Sequence, residues 1–227
     1  MLYDLIVDGP KNGIYKPASA YGVGTRILRI DNFYDGFTRP WSELKRLQVN
    51  DKERTDYGLE VGDIVINRVN SLTFLGKAAL IRELPEECVF ESNMMRIRVD
   101  LTRVSPEYAI LVLTSPYGVE QLRRNAKHAV NQASINQSDV GGVEFPLPSV
   151  TEQREIVRRV EELFAYADRL KARYAAARAQ VERLTPALLA KAFRGELVPQ
   201  DPNDEPASVL LERIRAQRAT TPKPARG

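Results

Sequence analysis

From Ile156 to Leu188, ten apolar residues recur in unbroken steps of four and three: Ile156, Val160, Leu163, Ala167, Leu170, Tyr174, Ala177, Val181, Leu184 and Leu188. A straight α-helix repeats every 3.6 residues and drifts off such a pattern. A seam of period 3.5 stays on one side only when the helix supercoils with a partner. The last third of the chain is therefore predicted to be a coiled-coil strut, and what precedes it a separate globular domain.

Phe145-Pro-Leu-Pro148 makes a stiff exit from that domain, and Ser149-Val-Thr-Glu152 has the pattern of a capping box. The helix is predicted from about 150 to 184, a length of roughly 50 Å. Val157 and Phe164 widen its apolar stripe near the start, whereas the matching later positions are Lys171 and Arg178. The first turns are thus expected to bury against their own domain, leaving a narrow two-helix seam beyond. Thr185-Pro186 is read as an interruption, with Thr185 as a fresh N-cap and Ala187 to Phe193 as a short second helix closed by Gly195. After the polar stretch Asp201-Pro-Asn-Asp-Glu205, Pro206 opens a last amphipathic helix carrying Val209, Leu210 and Ile214 on one face. Residues 220–227 are expected to be a disordered tail.

Residues 1–148 read as strand-rich. Thr25 to Ile30 and Met95 to Val99 alternate in period two, and Asp63 to Asn67 and Ala78 to Ile81 are short β-like runs punctuated by glycines. Two helices follow, one opening at Ser105-Pro106 and one after Ser115-Pro116 that runs to about Lys127. The expected fold is α+β: a strand-rich domain over 1–148, a helical spacer over 149–219 with a long coiled-coil-forming helix and short C-terminal helices, and the tail.

Composition excludes several classes. Apolar content is 43% and no apolar run approaches the roughly 18 residues of a membrane span. The N-terminus has no basic, signal-like region, so a cytoplasmic location is expected. The single cysteine, Cys88, cannot form an intramolecular disulfide or a zinc site and is read as structural. Residues 1–148 hold 18 Lys and Arg against 19 Asp and Glu, and residues 149–227 hold 15 against 11. Bulk charge therefore does not mark the first domain as a nucleic-acid binder; only local clustering can.

Catalytic signatures are missing: no P-loop, no dinucleotide fingerprint, no HExxH, no GxSxG, and one histidine in all, His128. The one nuclease-like fragment is Asp35 followed by Glu43 and Lys45, which leaves a stand-alone metal-dependent nuclease as one alternative and a coiled-coil adaptor without DNA as another. Polar clusters carry more, each with two readings. Arg123, Arg124, Lys127 and His128 near a helix end either complement its dipole or contact phosphates. The amides of Asn131 to Ser138 either build turns or pair with adenine. Asn67-Arg-Val-Asn-Ser71 is either a hairpin tip or a base-reading loop in which Arg68 suits guanine. Lys11, Asn12, Tyr15, Lys16 and Tyr21 lie on a long early loop of the kind that is either disordered or a binding element.

Four stretches resemble the DNA-specificity subunit of type I restriction–modification enzymes. They are Ile66 to Leu72 with Gly76-Lys-Ala-Ala-Leu80; Phe90 to Asn93 with Pro106-Glu-Tyr108 and Ser115 to Gly118; Ala129 to Ser138 with Pro146 to Ile156; and Leu188 to Leu197 with Asp201 to Pro206. Members usually carry two recognition domains and two helical regions, where this chain has one of each, so the likeness is to a half-size subunit or to one half of a larger protein.

The resemblance implies a chain that performs no chemistry and holds no cofactor. It would read double-stranded DNA for methyltransferase subunits that use S-adenosylmethionine and restriction subunits that use ATP and Mg. The helices would pair antiparallel, giving a homodimer that reads inverted half-sites separated by an unread spacer. The candidate DNA contacts are Lys11, Asn12, Tyr15, Lys16, Tyr21, Asn67, Arg68, Asn70, Ser71, Lys77, Arg123, Arg124, Lys127 and His128. Segments such as Val130 to Ser138, which recur in members that read different targets, are expected to be architectural.

Overall fold

The computed structural model describes residues 1–130, 132–199, 201 and 203–220. The chain divides into two compact units, Met1–Leu163 and Phe164–Gly227. The division falls inside the long helix rather than at Pro148, because the first turns of that helix pack on the domain before it.

In chain order the first unit contains β1 (Ile6–Asn12), β2 (Tyr21–Leu28), β3 (Phe33–Tyr34), β4 (Phe37–Thr38), β5 (Arg46–Leu47), α1 (Asp51–Tyr57), β6 (Ile64–Asn67) and β7 (Val69–Asn70). These are followed by β8 (Ala78–Leu80), β9 (Cys88–Phe90), β10 (Met94–Val99), α2 (Pro106–Thr114), α3 (Pro116–Arg123), β11 (Lys127–Ala129), β12 (Gln132–Ser134) and α4 (Gln137–Gly141). The long helix α5 spans Val150–Phe193, and α6 spans Ala207–Thr220.

The central sheet has the order β1-β10-β6-β8 and is antiparallel throughout. Its inner strands β6 and β10 and the neighbouring β8 are buried on nearly every side chain and read as mostly apolar runs, whereas β1 at the edge is half-buried or exposed at most positions. Ile64, Ile66, Ala78, Leu80, Met95, Ile97 and Val99 face one core, shared with α2, Leu122, Ile135 and Val140. Val65, Ala79 and Met94 face the other, shared with Leu28, Phe33, Trp41 and Phe90. Alternation along each strand thus divides its residues between two apolar layers.

The charged exception on the second face is Arg96, which pairs with Asp8, donates to the Gly58 carbonyl at 2.7 Å and lies over the Phe90 ring. Beside it, the buried carboxylate of Asp63 accepts from Arg98 at 2.6 Å and from the Glu60 N–H at 2.7 Å. A second small sheet, β5-β2-β9, joins β2 to β9 in parallel.

Both expected helix starts are present: Ser105 caps the N–H of Tyr108 and Ser115 that of Gly118. The second helix stops at Arg123, so Lys127 and His128 lie on strand β11 instead of at a helix end. Gly118 permits the tight α2–α3 corner, since a Cβ there would lie 2.2 Å from the Val112 carbonyl oxygen. The early segment 11–21 is not one long loop. It begins in β1, ends in β2, and is tied down by Ile14, whose N–H donates to Phe90 and whose carbonyl accepts from Ser92.

Ser149 caps the N–H of Glu152 at 3.3 Å, the first half of the expected box. Ile156 and Val157 pack against the main core and Val160 is half-buried, so the seam's first positions are used within the chain. The second unit departs from expectation at Pro186. α5 runs through it without a break to Phe193, so Thr185 is not a new cap and no separate helix forms over 187–193. Proline removes one N–H and crowds the preceding turn, but Leu188, Leu189, Ala190 and Lys191 are strong helix formers that carry the ladder onward. Gly195 then ends the helix at φ 71°, with the Glu196 N–H donating to Lys191 at 2.9 Å.

The seam residues Leu163, Ala167, Leu170, Tyr174, Ala177, Val181, Leu184 and Leu188 are all exposed, as are Val209, Leu210 and Ile214 of α6, the one helix after α5 among the described residues. Of the expected tail 220–227, Thr220 is the last residue of α6 and residues 221–227 lie outside the described residues. No helix among the described residues is long and apolar enough to cross a membrane.

Candidate nucleic-acid interface

Two clusters far apart in sequence meet through strand pairing. β12 pairs with β7 (Ala133 opposite Asn70, Ser134 opposite Val69) and with β11 (Lys127 opposite Ser134, His128 opposite Ala133). Ala133 and Ile135 point into the core and anchor this ribbon, while Lys127, His128, Ala129 and Val130 are exposed, Val130 to 91%. The Ile135 N–H donates to Arg68, and the Arg68 and Val69 N–H groups donate to Asn93. Ser92, next to Asn93, holds Ile14. Residues 12–15, 68–71, 127–130 and 132–134 therefore gather around the Ser92–Asn93 turn.

Within the amide-rich segment, Asn136 and Asp139 form a reciprocal capping box for α4, and the Gln137 side chain donates to the Pro10 carbonyl. These two amides are structural. Asn131 lies outside the described residues.

The candidate cations differ sharply in what already holds them. Lys16 pairs with Glu53 at 2.6 Å, and Lys11 lies 3.8 Å from Asp56 and over the Tyr57 ring. Arg68 donates to Ser92, and Arg123 donates to Leu75 and Thr73, bracing the turn before Lys77; burial holds the Arg123 guanidinium below its usual value. Arg124 lies 3.9 Å from Glu144. Lys127 and His128 enter no ion pair among the described residues.

Asn67 corrects an expectation: it is fully buried, donates to the Phe74 carbonyl, and holds the 71–77 turn from inside, so its side chain is not displayed to a ligand. Asn70 and Ser71 sit on the gathered face, with Ser71 exposed. Asn12 and Tyr15 are exposed, whereas Tyr21 is half-buried under Arg29, and burial raises its phenol pKa.

Over 226 residues the chain is 35% identical to the specificity subunit of type I restriction enzyme StySPI from Salmonella potsdam, an alignment that covers 96% of this chain and 48% of that one. The chain belongs to the specificity-subunit family of type I restriction enzymes. It is also 34% identical to the EcoKI specificity subunit of Escherichia coli K12, across 96% of this chain and 49% of that one. This family member thus spans about half the length of the curated relatives it matches. Its fold is similar to that of the HsdS subunit from Thermoanaerobacter tengcongensis, with TM-score 0.59 and 18% identity over 90% of this chain and 50% of that one. No family model matches the chain.

One feature of this specificity-subunit homologue carries no functional sequence motif. Next to the gathered face stands an aromatic edge made by β3–β4 and the 71–74 turn. Tyr34 and Phe74 meet edge to face, centroids 6.3 Å apart, with Arg39 over Tyr34 and Arg82 over Phe37. The signal was Asp35-Gly36 between aromatic residues, a hairpin turn with φ of 52° and 84°. Asp35 is therefore a turn residue. It does not line the cleft that holds Glu43 and Lys45, which also contains Arg29, Asp31, Asn32 and Arg39. No group of three His, Cys, Asp or Glu that could hold a metal ion exists among the described residues, and the nuclease alternative has no geometric support.

Proposed function

We propose that this chain is the non-catalytic DNA-reading component of a type I restriction–modification system. The observation that carries the proposal is near-complete alignment of the chain with half of several specificity subunits. Its first unit reads one half-site of double-stranded DNA with the face built from 12–15, 68–71, 127–130 and 132–134. Lys127 serves as a phosphate-facing cation with His128 beside it as a hydrogen-bond donor, and exposed polar groups of the neighbouring turns face base edges. Lys11, Lys16, Arg123 and Arg124 reach DNA only by giving up the partners they hold, so they contribute less.

The exposed seam of α5 is the surface for a second copy. An antiparallel pair of such helices places two recognition units at opposite ends in inverted orientation. The assembly then reads a bipartite target whose spacer is set by the helices. Methylation with S-adenosylmethionine belongs to partner methyltransferase subunits, and ATP- and Mg-dependent steps belong to restriction subunits. The bipartite reading accounts for an exposed apolar stripe that a DNA-free adaptor would share, and for a recognition face that such an adaptor would not need.

The test is co-expression with a type I methyltransferase subunit in a methylation-free host, followed by mapping of modified bases. Methylation confined to one interrupted, inverted sequence supports the reading. Methylation without sequence preference overturns it.

A further inference from the structure

Lys77 has surroundings that differ from those expected of a DNA-contacting lysine. It follows Gly76 at the end of the 71–76 turn, is half-buried, and donates from Nζ to the Ile30 carbonyl. Its ammonium lies 4.0 Å from the centroid of Tyr34, 4.8 Å from Phe33 and 5.6 Å from Phe74. Phe33 is a fully buried core residue, whereas Tyr34 and Phe74 are exposed rings of the aromatic edge. Three ring faces and a carbonyl leave little room for water around the charge, and burial pushes the ammonium down to about 8. Asp31 and Glu91 favour the charged form and Arg39 opposes it.

The cage joins segments that are remote in sequence. Main-chain bonding ties the β3–β4 turn to β8, where the Leu80 N–H donates to Gly36. The 71–74 turn is held from its other side by Asn67 and Arg123. Lys77 spans the gap between these two attachments, touching the rings of both turns. A phosphate-contacting lysine needs its ammonium in solvent, as Lys127 has.

We propose that Lys77 is a positioning residue. It clamps the Phe74 turn to the Tyr34 hairpin so that the two turns meet DNA as one rigid edge, and it contacts no phosphate. The proposal rests on the DNA-recognition reading for its consequence, but not for the clamp itself.

Two measurements separate these. The first needs no DNA: ring proton signals of Tyr34 and Phe74 are followed against pH in the full chain. They are expected to shift together with a midpoint near 8 in the wild type and to lose that transition in Lys77→Met, which keeps the aliphatic stem. Rings that titrate independently, or not at all in the wild type, overturn the clamp.

The second measures binding with the methyltransferase partner to the sequence that the wild type methylates and to unrelated DNA, at several salt concentrations. Lys77→Met is expected to lower the preference for the target about tenfold, the scale of a lost desolvated cation–π contact. The salt slope on unrelated DNA stays unchanged, and Lys77→Arg restores most of the preference. A salt slope reduced by about one with preference intact identifies Lys77 as a phosphate contact and overturns the proposal. If the wild type shows no sequence preference, the DNA reading fails while the ring titration still decides the clamp.

Discussion

The main-chain N–H of Ser105 donates to Oε1 of Gln153 across 3.0 Å, joining the N-cap of α2 to the first turn of α5. The same side chain donates from Nε2 to the carbonyls of Arg103 and Pro148, both at 2.9 Å. Gln153 is fully buried, so these bonds have no water to replace them. Gln153→Ala removes the partner of three partly buried main-chain groups and is expected to destabilise the first unit by about 1–3 kcal/mol. A urea titration followed by tryptophan fluorescence of Trp41 checks it, with a lower midpoint and an unchanged slope expected.

Asp63 is the buried hinge of an ion network with Arg96 and Arg98. Asp63→Ala leaves both guanidinium groups partly unpaired, although Asp8 still serves both of them and Glu60 serves Arg98. A loss of about 3 kcal/mol is expected, at the lower end for breaking a buried pair. Asp63→Asn, which keeps an acceptor for the Glu60 N–H, is expected to cost less. Thermal unfolding of the two variants ranks them.

Cys88 lies in the second core with its thiol donating to the Val89 carbonyl, and burial pushes the thiol up to about 12. At pH 8 about one part in ten thousand is thiolate. No labelling by a thiol reagent is expected in the folded chain up to pH 9, and complete labelling is expected in denaturant. Rapid labelling of native protein at pH 8 would show that the core opens at this strand.

Leu170 and Tyr174 stand one helical turn apart on the exposed part of the α5 seam. The double substitution Leu170→Asp, Tyr174→Asp places two carboxylates in the proposed antiparallel contact. Sedimentation velocity is expected to find a dimer for the wild type and a monomer for the variant, with the first unit's thermal transition unaltered.

Lys127 is exposed on β11 and enters no ion pair among the described residues. Lys127→Ala is expected to weaken target and unrelated DNA alike and to reduce the salt slope by about one. Lys16→Ala, which removes a lysine already paired with Glu53, is expected to change that slope little. Equal slopes for both variants would remove the distinction between free and engaged cations.

Local rules carried a large part of the architecture. Ser105-Pro106 and Ser115-Pro116 opened helices where their capping geometry demands them. The runs around 64–67, 78–80 and 94–99 became strands because their apolar side chains meet a core whichever way they point. β1 was not legible: it pairs with irregular register, and Gly9-Pro10 in its middle removes the apolar rhythm that marks a strand. β7, β11 and β12 are two or three residues long, so only their pairing defines them.

The amino-acid order by itself determined that this chain holds an α+β domain followed by a helix with an apolar seam, because periodicity and caps depend on neighbours a few residues away. Three-dimensional packing alone decided that Asn67 turns inward, that Lys77 is enclosed by rings from two turns, and that Lys127 has no counter-ion among the described residues. A cation's availability depends on which carboxylate, carbonyl or aromatic face the fold places within a few ångströms of it. Those partners lie tens of residues away along the chain, at separations no local pattern records.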